Sequence, residues 1–589
     1  MIARWSLVAL LAVAGCLSPQ TRFQAEDEAE RADRVASDIK TIGDISQMAG
    51  MEAVPVAGVG LVTRLEGTGG GVPPGPERTM LEEALKKAGC ENIKELFNSK
   101  STALVRVAAL VPAGSRKGEP IDVYVTVPDT SRTTSLRGGV LEECVLYNYA
   151  SSNQLSTLAG NSVAGRSDAA IRGHAWVRAS GPILAGVRPE ADPDDTPSMK
   201  TGVIWGGGKC LMGDRTFALL LNPDQQYARV AMRVAERINE TFHGPGLSAG
   251  SGEIAHASTK TTVSLTVPGA YRLNMARFLR VVRLVPLESP PPADSEYAQK
   301  LARQLLDPAT TITAALRLEA LGTQSIPALK VGLHSDVPLV RFAAAESLAY
   351  LGSPSCGEEL ARQVAEQPFV QAFALTALAS LNEAICRVKL EELLRAPNPE
   401  TRFGAYRALR ALDERDPLVQ GERLDTFWLH QVARGSAPQV HYSTAKRAEI
   451  VLFGDTPQLT APFSLLAGEF TLRAKPGEST CTLSRFSKRH GQQSKTCSLE
   501  VADVVRGVAE LGGNYADAIE LLRQAESTRS LNCALKGDAL PKAPTVYDLA
   551  RAGVQMAGGA TTGLATVSAD IGATPTLYEN PPPPKPAAD

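Results

Sequence analysis

The segment LVRVAALVPAGSRKGEPIDVYVTVPDTSRTTSLRGGVL fills residues 104–141 and predicts two β-strands that lead into a glycine turn. Apolar and polar residues alternate strictly over 121–127, which is typical of a strand with one buried face. The largely apolar run at 103–111 predicts a neighbouring strand. We therefore expect a half-buried sheet that ends at the turn formed by residues 136–139.

The sequence around this segment adds helices to the strands. Residues 54–62 read as another strand, and a glycine-rich turn follows at 67–71. Asn222-Pro223 predicts a helix start, because asparagine caps helices and proline suits their first turn. An alternating strand at 261–267 comes after that helix. Strand, helix and strand in succession predict an α+β fold with helices packed on a sheet.

A different pattern interrupts this texture and repeats about every thirty positions. The motifs LEALG, LAYLG, LASLN and LRALD end at Gly322, Gly352, Asn382 and Asp413, at spacings of 30, 30 and 31 residues. The pattern resembles short HEAT-type repeats, in which stacked helix pairs supply one another's core. We expect residues 298–420 to form an all-α, HEAT-like solenoid, and an irregular helical bundle is the alternative.

Composition and motif spacing argue against several classes of function. The chain has 589 residues, a net charge of −2 and 5% aromatic residues, whereas a nucleic-acid binder usually has a basic domain. The sequence GGGKC at 206–210 lacks the spacing of a phosphate-binding loop. The seven histidines show no metal-ligand spacing, and no G-x-S-x-G motif is present. We expect no catalytic residues, no cofactor, no metal and no nucleic-acid partner.

The N-terminus predicts export. Arg4 precedes an apolar run at 5–14 that is long enough for a secretory signal and too short to span a bilayer. The run ends in Val-Ala-Gly-Cys16, which resembles a bacterial lipoprotein signal with lipidation of the cysteine thiol. An ordinary signal peptide with a chance cysteine is the alternative. Residues 17–41 read as a charged tether, and Leu17 favours the outer membrane over retention in the inner one.

Four further cysteines form two pairs with different expectations. Cys481 and Cys497 flank a polar segment that reads as a loop between two strands, so they are the best candidates for a disulfide in an oxidising periplasm. Cys356 and Cys386 lie one repeat apart. Stacked helices keep such backbones roughly 10 Å apart, beyond the ~7 Å reach of a disulfide, so we expect buried thiols there.

The stretches on either side of the repeats resemble a single family cut in two. Residues 54–69, 104–141, the Asn222-Pro223 helix with the strand after it, and the helices at 501–525 resemble, in this order, the flagellar basal-body P-ring protein. Residues 150–215 match that pattern poorly. The family has neither the repeats nor the lipoprotein signal.

The resemblance implies a structural subunit. P-ring proteins form a closed ring of identical subunits around the rod in the periplasm and act as a bushing with the L ring. The implied partners are further copies of the chain, rod and L-ring proteins, a P-ring assembly chaperone and peptidoglycan, while the partner of the repeats stays unnamed. Arg106 and Arg137 lie in the matching stretches and are candidate assembly contacts, with ordinary surface arginines as the alternative.

The sequence therefore predicts a ring subunit from which the repeats project outward. Its expected parts are a lipoprotein-type signal at 1–16, a tether at 17–41, P-ring-like portions at 42–288 and 440–540, HEAT-like repeats at 298–420, and a disordered tail at 553–589. We expect it in the periplasm, at the flagellar basal body, with an outer-membrane anchor at Cys16. The alternative function is an envelope lipoprotein scaffold that keeps the P-ring fold and binds partners through its repeats.

Overall fold

The computed structural model describes residues 39–151, 170–186, 199–213, 215–242, 253–432, 435–444, 447–487, 491–538 and 540–541. It contains both sheets and helices, so the fold is α+β as expected. Three parts follow one another along the chain: an N-terminal part (residues 39–287), a helical block (296–412) and a C-terminal part (421–541).

A sheet that closes on itself dominates the N-terminal part. Its strands run in the order β4-β3-β2-β5-β6-β8-β7, and β4 also pairs with β8. The alternation at 121–127 is confirmed, because Val123 and Val125 are buried inside while Tyr124 is not. The bounds are β2 Val54–Thr63, β3 Ala103–Val111, β4 Pro120–Thr126, β5 Val140–Ser151, β6 Ala170–Pro182, β7 Leu184–Ala185 and β8 Thr201–Cys210, with helices α1 Pro76–Lys87 and α2 Ile93–Asn98 between β2 and β3.

A smaller open sheet with helices completes the N-terminal part. Its order is β1-β9-β11-β10, and its helices are α3 and α4. Apolar residues of both helices, such as Val234, Ile238 and Phe278, belong to the same core as Leu219 of β9. The bounds are β1 Ser46–Ala49, β9 Phe217–Leu221, α3 Ala228–Thr241, β10 Ala255–Ala257, β11 Thr262–Leu265 and α4 Met275–Leu284.

The helix expected to open at Asn222-Pro223 begins later. Residues Pro223–Gln225 form one turn of 3-10 helix, and α3 starts at Ala228. The Asn222 side chain donates its amide to the carbonyl oxygen of Asp44 at 3.3 Å instead of capping a helix. The predicted helix start at Asn222 was therefore wrong, because the side chain expected to cap the helix instead ties the end of β9 to the start of the N-terminal part.

The helical block consists of eight consecutive helices. The even-numbered ones, α6, α8, α10 and α12, end within two residues of the four repeat landmarks, and Gly322 and Gly352 adopt the left-handed backbone (φ 82° and 76°) that stops a helix. The bounds are α5 Glu296–Leu306, α6 Thr311–Ala320, α7 Ile326–Gly332, α8 Pro338–Tyr350, α9 Gly357–Glu366, α10 Gln371–Ser380, α11 Ala384–Leu393 and α12 Pro399–Leu412.

The helical block does not stand apart from its neighbours, which differs from the expectation of a projecting insert. One continuous apolar core contains Phe278 of α4, Tyr350 of α8, Phe403 of α12 and Phe453 of the C-terminal part. The even-numbered helices are consequently buried on both sides; in α8 only Pro338 and Arg341 are not buried. Folding of the block therefore depends on surface that its two neighbours provide.

The C-terminal part holds two sheets and two helices. Its strands begin at Gly421, which is earlier than the predicted boundary at 440. One sheet has the order β12-β13-β15-β14-β20 and the other β16-β17-β18-β19. The bounds are β12 Gly421–Leu424, β13 Phe427–Val432, β14 Gln439–Tyr442, β15 Glu449–Phe453, β16 Phe463–Ala467, β17 Phe470–Ala474, β18 Thr480–Ser487, β19 Gly491–Ser498, α13 Val501–Glu510, α14 Tyr515–Ser527 and β20 Ala534–Gly537.

Several expectations concern residues outside the described part of the chain. Cys16, the signal at 1–16, most of the tether at 17–41 and the tail at 553–589 all lie there. Among the helices that are described, none combines the length and the apolar character needed to cross a membrane.

Candidate functional site

One functional candidate is a cleft of about 670 Å³ where turns of the N-terminal and C-terminal parts face each other. We call it the seam cleft and define it by Arg64, Glu66, Arg137, Asp425, Arg485 and Asp517. The N-terminal turns follow β2 and precede β5. The C-terminal turns join β12 to β13, β16 to β17 and α13 to α14. Arg485 of β18 and Asp517 of α14 complete the lining.

Arg137 joins the two parts across the cleft. Its Nη2 lies 2.6 Å from Oδ1 of Asp517 and 2.8 Å from Oε2 of Glu520, both on α14. Burial opposes the guanidinium charge, but the two carboxylates outweigh it and raise the pKa of Arg137. Asp517 also accepts a hydrogen bond from the backbone N–H of Asn514 at 2.9 Å, as part of the capping box that starts α14.

A second ion-pair group lines the same cleft. Nε of Arg485 lies 3.0 Å from Oε2 of Glu469, and its Nη2 lies 3.8 Å from Oε1 of Glu66 in the N-terminal part. The hydroxyl of Ser487 donates to Oε2 of Glu66 at 3.2 Å. Nη1 of the same arginine donates to the carbonyl oxygen of Leu511 at 2.8 Å. This group therefore adds a second electrostatic link between the parts.

Two charged side chains of the cleft are left without such partners. Within the described residues, Arg64 and Asp425 form no hydrogen bond or ion pair. Arg64 has a φ of 64°, a backbone conformation that residues other than glycine rarely adopt. The hydroxyl oxygen of Thr426 is buried and has no hydrogen-bond partner among the residues that the structure describes.

The two arginines that the sequence singled out have different surroundings. Arg137 is bound to α14 within the same chain, as described above. Arg106 lies on β3, is 56% exposed and pairs with Glu77 of α1 at 2.6 Å. Sequence reasoning missed Arg64, although its position before the glycine turn at 67–71 was visible; nothing in the sequence indicated that its backbone is left-handed.

The predicted disulfide pair lies in register on neighbouring strands. Cys481 of β18 is directly opposite Cys497 of β19, and both side chains are buried thiols. Burial raises the pKa of Cys481 to about 12. The disulfide stays a prediction. Cys356 and Cys386 are buried free thiols, in agreement with the expectation for the repeats.

A buried charged cluster joins the N-terminal part to the helical block. Arg277 of α4 contacts Oε2 of Glu319 and Oε2 of Glu346 at 2.6 Å each, and it donates to the Ser347 hydroxyl at 2.9 Å. The guanidinium lies 4.9 Å from the ring centroid of Tyr350, within cation–π range. Burial disfavours the charge, yet the carboxylates outweigh it and raise the pKa of Arg277.

A second buried junction joins the helical block to the C-terminal part. Nη1 of Arg410 on α12 lies 2.5 Å from Oε2 of Glu449 on β15. Beside it, the ring of His441 stacks on Phe403 of α12 with centroids 4.7 Å apart. Burial, with a further contribution from Arg402, lowers the pKa of His441 to about 3. Each of the three parts therefore contacts the other two through charged side chains.

The ion pairs described above join the three parts of the chain to one another. In the part of the chain that is described, no group of three His, Cys, Asp or Glu side chains is placed to hold a metal ion. The charged side chains of the three junctions are mostly neutralised by one another, which suits permanent contacts between parts of a structural protein.

A sequence profile of the Flagellar P-ring protein family matches residues 41–294. The Flagellar P-ring protein of Thermotoga maritima is 31% identical over 258 residues, which cover 68% of that protein and 43% of this chain. The chain belongs to the flagellar P-ring protein family. Its relative in Oleidesulfovibrio alaskensis is 26% identical over 260 residues, covering 62% of that protein and 43% of this chain. As a member of this family, the chain is a structural subunit of the P ring.

The family match ends two residues before α5 begins. The helical block is thus an addition to the P-ring pattern. A solved structure of human deoxyhypusine hydroxylase in complex with glycerol is 24% identical and spans 22% of this chain and 48% of that one, with a TM-score of 0.18, which is too low to support an inference.

Proposed function

We propose that this P-ring subunit assembles with copies of itself into a closed periplasmic ring around the flagellar rod. The observation that carries the proposal is the family match over residues 41–294 together with 31% identity to a P-ring protein. Rod and L-ring proteins, peptidoglycan and a P-ring assembly chaperone are the partners that this role implies. The chain acts as a bushing and catalyses no reaction.

We also propose that the helical block is a HEAT-like addition that contacts both the N-terminal and the C-terminal part and stabilises their arrangement. Support comes from the junctions at its two ends, where Arg277 contacts Glu319 and Arg410 contacts Glu449, all largely buried. A buried ion pair leaves an uncompensated charge when one partner is lost, so both junctions resist separation. The helical block fixes how the N-terminal and C-terminal parts face each other across the seam cleft.

Two covalent features complete the proposal. Lipidation of Cys16 anchors the subunit to the outer membrane, and the sequence before that residue supports it. Oxidation of Cys481 and Cys497 to a disulfide is supported by their direct opposition on β18 and β19. Mass spectrometry of the N-terminal peptide tests the first feature: a peptide that begins at an unmodified Cys16, or that retains residues 1–15, contradicts it.

The scaffold alternative, in which the repeats act as an adaptor for other proteins, is not favoured. The even-numbered helices that form the inner layer of the block are covered by the chain's own flanking parts. The relatives in Thermotoga maritima and Oleidesulfovibrio alaskensis are P-ring proteins, which supports the flagellar role instead.

The proposed function is tested by deleting the gene and examining isolated basal bodies by electron microscopy. We expect the deletion strain to lose the periplasmic ring and motility, and the full-length chain to restore both. An affinity-tagged chain should copurify with basal bodies. A deletion strain with complete rings and normal swimming would overturn the proposal.

A further inference from the structure

We propose that the seam cleft receives a carboxylate-bearing segment of a second copy of this chain, with Arg64 as the residue that binds the carboxylate. The proposal rests on the proposed function, since a closed ring places copies of the subunit side by side. It adds the surface and the residue through which neighbouring copies recognise each other.

The charges of the cleft point to Arg64. Arg137 and Arg485 are bound to carboxylates of the same chain, and each therefore has little capacity left for a partner. Arg64 lines the same cleft and is exposed, and it forms no hydrogen bond or ion pair within the described residues. Guanidinium groups bind carboxylates in a bidentate manner, so the chemistry that fits this position is an aspartate or glutamate.

The backbone gives an independent reason. The φ of 64° at Arg64 would suit glycine, and the glycine turn that follows shows that glycine is used freely nearby. Strain of this kind persists where the side chain or its setting has another use. The chain therefore has a long cationic side chain at a position where the backbone conformation favours glycine.

The other open groups of the cleft suit a peptide segment. Asp425 is exposed and offers a carboxylate for a basic side chain, while the buried Thr426 hydroxyl oxygen has no partner in the described residues. Together with Arg64, they present a cation, an anion and a hydroxyl around one cavity. Its volume of about 670 Å³ falls within the range of about 300–1,000 Å³ typical of ligand pockets.

Arg529 provides a matched control. It is also an exposed arginine with a left-handed backbone, at a φ of 56°, and it does not line the cleft. In Arg64→Gly and Arg529→Gly the side chain and the backbone strain are removed together. We expect Arg64→Gly to leave the thermal midpoint of the subunit within a few degrees while the number of rings on isolated basal bodies falls at least fivefold. Arg529→Gly should keep the wild-type number.

A photocrosslinking residue, p-benzoylphenylalanine, in place of the exposed Asp425 of the full-length chain identifies the occupant of the cleft while Arg64 is kept. Rings are assembled from a mixture of isotopically light and heavy chains, so that a light–heavy cross-link marks contact between copies. We expect light–heavy peptides that contain an aspartate or glutamate. Cross-links only within one chain or only to other proteins would overturn the proposal, as would wild-type ring numbers for Arg64→Gly.

These readouts separate the two proposals. A wild-type chain that is absent from basal bodies contradicts the proposed function. In that case the same light–heavy cross-link is measured on the purified full-length chain, and its absence there overturns the cleft proposal as well.

Discussion

Arg277 of α4 and Glu319 of α6 form a buried ion pair, with 2.6 Å between Nη2 and Oε2 and with 9% and 0% of their side chains exposed. The first residue belongs to the stretch that matches the P-ring family and the second to the added helices. The pair therefore ties the addition to the ring subunit at a place where water cannot replace either partner.

We expect Arg277→Met to destabilise the protein strongly. The change leaves Glu319 and Glu346 buried without their cation, and loss of one partner of a buried pair costs about 3–5 kcal/mol. Urea unfolding followed by circular dichroism measures the free energy of unfolding. Arg233→Met is the matched control, because the Arg233–Glu236 pair is 43% and 57% exposed and such pairs contribute about 1 kcal/mol or less. Equal effects of the two changes would contradict a buried junction.

The link across the seam cleft is tested by a double-mutant cycle. Arg137→Ala and Asp517→Ala each remove the contact between the N-terminal part and α14, but Asp517→Ala also removes a helix cap. The cycle separates these effects, and we expect a coupling energy of about 1–2 kcal/mol, within the range for residues in one ion-pair network. Additive free energies of unfolding would mean that the contact contributes nothing.

The buried histidine at the second junction predicts a pH dependence. His441 has a pKa of about 3 in the folded protein against an ordinary value of 6.5. Between these values the unfolded chain binds one more proton than the folded one, so stability falls as the pH is lowered, by about 1.4 kcal/mol per pH unit. Above pH 6.5 this contribution is fully present.

We expect His441→Phe to make the decline in stability between pH 6.5 and 4 shallower, since phenylalanine can stack on Phe403 without binding a proton. The measurement is the free energy of unfolding at several pH values in that window. His256→Phe is a suitable control, because the side chain of His256 is 70% exposed. An unchanged slope in His441→Phe would show that another group governs the acid response.

The disulfide prediction has its own test. Protein isolated from the periplasm under non-reducing conditions should yield a linked peptide that contains Cys481 and Cys497, whereas Cys356 and Cys386 should be alkylated as thiols after unfolding. Closing a loop of about 15 residues stabilises a protein by about 3 kcal/mol. Reduction should lower the free energy of unfolding of the wild-type protein accordingly. Cys481→Ala should then be less stable than the oxidised wild type but similar to the reduced wild type. A difference between Cys481→Ala and the wild type that is the same before and after reduction would contradict the assignment.

Local structure followed the sequence closely. The alternating strand at 121–127, the helix ends at Gly322 and Gly352, and the Asn514–Asp517 cap were all predictable, because each depends on residues within a few positions of one another. The delayed start of α3 was not predictable, since the Asn222 side chain is bound to a backbone carbonyl 178 residues away.

The long-range contacts could not be predicted from the sequence. Arg277 and Glu319 are 42 positions apart, and Arg137 and Asp517 are 380 apart, so no periodicity relates them. The seam cleft is assembled from several turns and has no local motif. The repeat pattern predicted the helical block but not the surfaces that cover its even-numbered helices. An apolar helix face has the same sequence pattern whether it packs on another repeat or on a neighbouring part of the chain.

The central claim is that the helical block is an integral part of a P-ring subunit. Its most direct test is to replace residues 298–420 by a short flexible linker and count rings on isolated basal bodies. We expect no rings, because removal of the block exposes the apolar surface around Phe278 and Phe453. It also takes Glu319 from Arg277 and Arg410 from Glu449. Rings at the wild-type number would contradict the claim and make the block a dispensable appendage.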